Sequence, residues 1–262
     1  MSRQIQSYRP EQIPSHRQPH FGFVDADNIL LSFKNRLTQL GFSEDQFTWF
    51  DPTKLFNIME QERTYVFSAA KNASDTPKWL EGCRSNSGTI LRIGTLVEKE
   101  GRSRKQEGVD VHLAVEAMKL AYTSRMKTCT IYGADGDFLP LIKALVDYGC
   151  ITNIVSFNNP SKGRVAPELQ AASDKYIKFN NADLLKSYLP EKGTFATSPD
   201  FQHRMHRAEK VSKIFEHDFE IFKLDDNFYS IGDRAINTYS STSQRDIEIH
   251  MMLSFWGDER PI

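Results

Sequence analysis

The sequence predicts an α/β fold: a mainly parallel sheet of five or six strands with helices on both faces, followed by a small α+β appendage. Three observations predict it. Short runs rich in Val, Ile, Phe and Tyr alternate with segments of helical periodicity from residue 20 to residue 188. The runs are apolar at consecutive positions rather than at every second one, as expected of strands buried on both faces. Each run is followed by a helical segment of the kind that carries a chain back to start a parallel neighbour.

The elements follow in order. Residues 1–19 carry Arg3, Arg9 and Arg17 against Glu11, with three prolines and little apolar content, the composition of a flexible, slightly basic arm. Residues 21–24 form a first strand that ends at Asp25. Leu30, Phe33, Leu37 and Leu40 then mark a helix stopped by Gly41. Residues 64–68 and 89–97 are the second and third strands, with a helix over 78–83 between them. Val109, Leu113, Ala117 and Leu120 define the next helix, 128–132 the fourth strand, and Phe138, Leu141, Ile142 and Leu145 a helix closed by Gly149. Residues 150–157 and 175–179 complete the sheet.

After residue 189 the rhythm breaks. Residues 190–199 read as a turn-rich linker, and Met205, Ala208, Val211 and Phe215 predict a helix over 203–216. Segments 219–224 and 227–231 predict a hairpin about Asp225 and Asp226, and 251–256 a docked helix. The expected organisation is therefore an arm (1–19), an α/β domain (20–189) and an appendage (190–262) marginal in size for independent folding. The appendage shows no chemical motif, and a homo-oligomer or protein contact is the role expected of it.

Composition narrows the function. The 262 residues are 39% hydrophobic and 26% charged, too apolar for a disordered chain, and no apolar run reaches the roughly 18 residues of a membrane span. The first 20 residues do not resemble a signal peptide, and three cysteines without CxxC spacing make a disulfide framework unexpected. A soluble, reduced, cytoplasmic chain is expected. The net charge of −1 disfavours a generic polyanion binder but says nothing of a local site.

Such a site is visible as carboxylates at strand ends. Asp25, with Asp27 and Asn28, follows the first strand; Asp110 and Glu116 lie on the third helix; Asp135 and Asp137 follow the fourth strand. Ligand sites of parallel α/β sheets lie beyond the carboxyl ends of their strands. Clustered carboxylates repel one another and raise their own pKa values unless a cation joins them. Hard ions such as Mg²⁺ or Mn²⁺ prefer oxygen ligands and favour phosphodiester hydrolysis by activating water and neutralising charge. No histidine or cysteine cluster offers a zinc alternative. The basic, glycine-bearing run 99–105, with Arg102, Arg104 and Lys105, leads into Asp110, and Lys162 and Arg164 follow the fifth strand; both are candidates for phosphate contact.

These residues resemble a family. Val24 and Asp25 with Asn28, then Lys105 and the run 108–114 (Gly-Val-Asp-Val-His-Leu-Ala), then the run 133–138 (Gly-Ala-Asp-Gly-Asp-Phe) are similar to three signatures of NYN domain proteins. Asp174, ahead of the last strand, fits the same order. The likeness is to the LabA-type branch of the PIN-like nuclease superfamily and spans residues 20 to 188. It implies a PIN-type, Rossmann-like three-layer α/β/α domain and a metal-dependent endonuclease that acts on RNA, with single-stranded DNA as the alternative. It further implies Asp25, Asp110, Asp135 and Asp137 as catalytic metal-binding carboxylates, with Glu116 at a position where relatives often carry Asp. Asn28 is implied beside the substrate or a water at the opening of the first helix. Asp27 and Ala134 depart from the family pattern.

Each residue also has a plainer expectation. Asp25, Asp110 and Asp137 are possible helix caps, Asp174 a turn residue, His112 a structural residue, and Tyr132 and Phe138 core residues. Two other functions compete. The sequence Asp25-Ala26-Asp27 also resembles the opening motif of haloacid dehalogenase-type phosphatases, where the first Asp is a nucleophile. A non-catalytic PIN-like module that binds RNA or protein is the third reading, kept open by Glu116.

Overall fold

The computed structural model describes residues 19–70, 76–84, 86–97, 105–106, 108–157, 165–191, 196–197, 205–214, 219–231 and 239–255. The arm up to residue 18, Arg102, Arg104, Lys162, Arg164, most of the 190–199 linker and Trp256 lie outside the described residues.

The first strand, β1 (His20–Asp25), runs into α1 (Ala26–Gln39), and β2 (Arg63–Ala70) returns parallel to it. A one-turn helix, α2 (Glu81–Arg84), leads to β3 (Thr89–Val97), parallel again, and the short β4 (Lys105–Gln106) pairs antiparallel with the end of β3. Helix α3 (Val109–Tyr122) then carries the chain across to β5 (Thr128–Tyr132), on the other side of β1. From there α4 (Leu139–Asp147), β6 (Ile151–Ser156), α5 (Pro167–Ala172) and β7 (Lys175–Lys178) extend the sheet outward. The strand order is β4-β3-β2-β1-β5-β6-β7, six parallel strands with an antiparallel pair of residues at one edge. The expected sheet is thus present, with the foot of the basic 99–105 run drawn into its edge.

Both faces are covered. Phe23, Phe67, Leu113, Ile131 and Ile142 pack with α3, α4 and α5 on one side. Val24, Ile29, Phe33, Val66, Tyr132 and Leu184 pack with α1 and α6 (Asn181–Ser187) on the other. Buried Tyr132 and Phe138 are core residues as expected, and Cys83, Cys129 and Cys150 are buried and free. Asp174 accepts hydrogen bonds from Thr152 N (2.7 Å) and Oγ1 (3.0 Å), which pins the start of β7 to β6.

The C-terminal region corrects one expectation. The stretch predicted as a helix over 203–216 is a short 3₁₀ turn, Met205–Arg207, followed by β9 (Glu209–Ile214). The cause is tertiary: β9 pairs antiparallel with β10 (Phe219–Leu224), and sheet hydrogen bonding overrides a weak helical periodicity. β10 and β11 (Asn227–Ile231) form the expected hairpin, with Asp225 at φ 54° in the turn. With β8 (Ala196–Thr197) and β12 (Tyr239–Ser241) they make a five-stranded sheet of order β8-β12-β11-β10-β9. The last helix, α7 (Gln244–Phe255), begins seven residues earlier than expected. Ile247 and Met251 pack on Ile221 of this sheet, whereas Ile249 and Leu253 join the core beneath α1 and α6.

That docking is fastened by Asp246, which is fully buried. Its Oδ1 accepts from the Tyr188 hydroxyl (2.6 Å) and Glu191 N (2.8 Å), and its Oδ2 from Ser241 Oγ (3.3 Å). Beside it the Arg245 guanidinium lies 4.6 Å from the centre of the Trp49 ring. Among the described residues no helix is long and apolar enough to cross a membrane.

Candidate functional site

The strand order creates one topological switch point. The chain builds outward from β1 through β2 to β4, then crosses through α3 to build the opposite way from β5. At the carboxyl ends of β1 and β5 the crossovers diverge and leave a crevice, where parallel sheets hold ligands. Asp25 ends β1, and Asp135 stands three residues beyond β5. The two strand ends meet closely. A Cβ on Gly133 would lie 3.6 Å from the Cβ of Asp25, an ordinary contact distance that places the two strand ends side by side.

Asp25 is both a cap and a candidate ligand, and the two roles do not compete. Its Oδ1 accepts from Asn28 N at 3.1 Å, which satisfies one open donor of α1. The residue is 6% exposed, and its pKa is pushed up to about 7. Burial is the main cause; the Asn28 N–H opposes it, while the charges of Asp110, Asp27 and Asp135 add to it. Neighbouring Asp27 points back to β2, accepting from Ser68 Oγ (2.9 Å) and Ala69 N (3.4 Å). Its pKa is also raised, again through burial.

Asn28 joins the two strand ends. Its side-chain oxygen accepts from Ala134 N at 3.2 Å, tying the first turn of α1 to the segment that bears Asp135. Asp135 caps the 3₁₀ turn Gly136–Phe138 by accepting from Asp137 N at 3.0 Å. Asp135 is therefore the cap, and Asp137, exposed, is the capped residue. Asp110 lies in the first turn of α3, whose N-cap is Gly108 in the left-handed region (φ 79°), where glycine is favoured. Gly94 on β3 lets this end approach, since a Cβ there would meet Val109 at 3.0 Å. The Asp110 carboxyl is raised by partial desolvation and by the charges of Asp135 and Asp137.

Charges from three distant segments thus meet: Asp110 and Asp135 act on Asp25, and Asp135 and Asp137 act on Asp110. Glu116 is differently engaged, with its Oε1 3.7 Å from an Arg92 nitrogen. Arg92 is a residue the motif search missed. A lone charge inside the apolar run 89–97 needs a partner, and that is the signal that identifies it. Ser68, the anchor of Asp27, had no comparable signal. His112 packs against Phe67 with ring centres 5.6 Å apart, in line with a structural role. Among the described residues, no group of three or more His, Cys, Asp or Glu side chains is placed to hold a metal ion. The side chain of Lys105 is not described, although its backbone belongs to β4.

A crystal structure of a protein of unknown function from Vibrio parahaemolyticus aligns with 66% of this chain and 98% of its own, at 15% identity and a TM-score of 0.48. No curated protein sequence matches significantly. The family model for the NYN domain matches residues 23–185, a span that runs from β1 to α6 and contains the whole acidic crevice. The chain therefore belongs to the NYN domain family of PIN-like proteins, whose members are typically nucleases.

Proposed function

We propose that the chain is a metal-dependent endonuclease that hydrolyses phosphodiester bonds in RNA, with Asp25, Asp110, Asp135 and Asp137 as its acidic centre. The observation that supports it is the convergence of these four carboxylates at the switch point between β1 and β5, with Asp25 pushed up to about 7. Carboxylates held close without a counter-charge favour binding of a cation. Mg²⁺ and Mn²⁺ take one or two carboxylates and complete their shells with water and substrate phosphate, so an ion here would not need three protein ligands. When bound, such an ion supplies the positive charge that polarises a phosphoryl oxygen and makes water a better nucleophile.

The chain's own residues do the positioning. The Asn28 N–H fixes one oxygen of Asp25. The Asn28 side chain fixes the 133–135 segment through Ala134, and the Asp137 N–H fixes Asp135. Asp25 is protonated in part at neutral pH and becomes a full anion as pH rises or a cation arrives. Glu116, facing Arg92, enters this reading as a positioning group. Arg102, Arg104, Lys105, Lys162 and Arg164 are proposed as backbone contacts around the crevice, which makes affinity fall with salt.

The test is cleavage of labelled single-stranded RNA and DNA with Mg²⁺, Mn²⁺ or EDTA. The parent is expected to cut RNA only with metal, and Asp25→Asn or Asp135→Asn to lose about 10³-fold in rate, equivalent to about 4 kcal/mol in the barrier. Undiminished cleavage by both variants overturns the mechanism. Hydrolysis of a phosphomonoester that depends on Asp25, without RNA cleavage, transfers the site to the phosphatase reading. RNA binding without turnover transfers it to the non-catalytic module.

A further inference from the structure

Asp25, Phe67 and Arg92 are register partners on β1, β2 and β3, so they form one row across the sheet and share one face. At the usual strand spacing the Cα atoms of Arg92 and Asp25 are about 10 Å apart. Helix α3 rests on this row. His112 packs on Phe67, and Glu116 meets Arg92 at 3.7 Å. At the start of the helix Val109 comes so close to β3 that a Cβ on Gly94 would meet it at 3.0 Å. The Arg92 guanidinium also lies 5.8 Å from the centre of the Tyr65 ring, and Tyr65 stacks on Phe23 of β1 with ring centres 5.3 Å apart. Phe23, Tyr65, Arg92 and Glu116 thus form a line of contacts from the strand that ends in Asp25 to the helix that carries Asp110 in its first turn.

Glu116 itself stands apart from the acidic centre. It is six residues beyond Asp110, about 9 Å along the axis and about 120° around the helix. Asp135 and Asp137 raise the Asp110 carboxyl, and Asp110, Asp27 and Asp135 raise that of Asp25; Glu116 is not among the charges that act on either.

We propose that Arg92 is a positioning residue: paired with Glu116, it sets the rotation and slide of α3 on the sheet, and thereby the place of Asp110 relative to Asp25 and Asp135. The proposal rests on the reading of these acids as a cation-binding centre. The buried side of α3, with Val109, Leu113, Ala117 and Leu120, is apolar. Apolar burial is non-directional, so it holds the helix close without selecting one rotation. Among the described residues, Arg92 and Glu116 form the ion pair that joins α3 to the sheet. Their side chains are 36% and 17% exposed, a setting in which an ion pair adds little net stability. Fixing register is the best-attested use of such a pair.

The experiment is a Mn²⁺ titration of the full chain without substrate, with free ion read by electron paramagnetic resonance and a thermal melt of each metal-free protein beside it. Arg92→Gln and Glu116→Gln should each weaken Mn²⁺ binding about tenfold, as loss of a group behind a ligand does. Their melting temperatures should stay close to that of the parent. The double variant Arg92→Gln/Glu116→Gln should bind no more weakly than either single one, because both break the same pair. Arg92→Lys, which keeps the charge, should recover most of the affinity. Undiminished binding by Arg92→Gln, or losses that add in the double variant, overturns the proposal. Tighter binding by Arg92→Gln with weaker binding by Glu116→Gln also overturns it, and makes Glu116 a ligand for which Arg92 competes with the ion. A parent that binds no Mn²⁺ overturns the cation-binding reading of the crevice, and this proposal with it.

Discussion

In the seven-stranded sheet, charged side chains are nearly absent from strand interiors, Arg92 being the exception, and acids gather at the carboxyl ends of strands. In the five-stranded C-terminal sheet they are spread along the strands: Glu209, Lys210, Glu220 and Lys223 are interspersed with Val211, Ile221 and Leu224. The parallel sheet is covered on both faces, so the end of a strand is the place left for a carboxylate, and desolvation there changes its chemistry. Asp25 shows the result, with a pKa near neutrality. The antiparallel sheet keeps such charges near water, where the Lys210–Glu220 pair is roughly two-fifths exposed. Position in the fold, and not acid content, separates a candidate site from a solvated surface.

Asp246 is the point where the two regions meet, and it should give the largest change in stability. Asp246→Ala leaves the Tyr188 hydroxyl, Glu191 N–H and Ser241 hydroxyl without their acceptor, an expected loss of about 3–5 kcal/mol in urea denaturation. Asp246→Asn, which retains an acceptor oxygen, should recover much of it. A parent that unfolds in two steps, with only the second insensitive to Asp246→Ala, would show that the regions fold separately.

The acid at the end of β1 should act in the opposite direction. Its folded pKa of about 7 lies above its unfolded value of 3.8, so the native state binds the extra proton between these values. Its contribution to stability is present below pH 3.8 and is lost as pH rises through 7. In metal-free buffer at pH 8, Asp25→Asn should therefore stabilise the chain by about 2–4 kcal/mol while keeping the Asn28 N–H bond, and the gain should vanish near pH 4. Thermal melts of both proteins across this range measure it. A variant less stable at pH 8 would mean that the Asp25 charge is already compensated.

Saturating Mn²⁺ offers the next contrast. It should stabilise the parent by about 2.7 kcal/mol at a hundred times its Kd, and Asp25→Asn by much less. An equal shift in both proteins would place the ion away from Asp25. The smallest effect belongs to the solvated pair. Lys210→Ala should cost no more than about 0.5 kcal/mol by urea denaturation, because exposed ion pairs are screened. A loss several times larger would remove the distinction between the two sheets.

Much of this was legible in the residues. The alternation of strand and helix, the placement of Asp25, Asp110 and Asp135 at segment ends, and the hairpin about Asp225 all follow from local periodicity and turn chemistry. Periodicity reports which residues are apolar and how often they recur; it does not report what they meet. Val211 fits a helix in sequence, yet it lies on a strand because β9 pairs with β10. Both apolar sides of α3 were present in the sequence, but only the sheet determines which of them is buried.

The sequence by itself determined the order of elements and the acids that end them, since both depend on neighbours within a few positions. Tertiary structure decided the rest: that Arg92 faces Glu116, that Asn28 clasps Ala134, and that Asp246 fastens α7 beneath α6. It also decided which carboxylate is desolvated, because desolvation depends on what lies around a group in space and leaves no mark in the chain beside it.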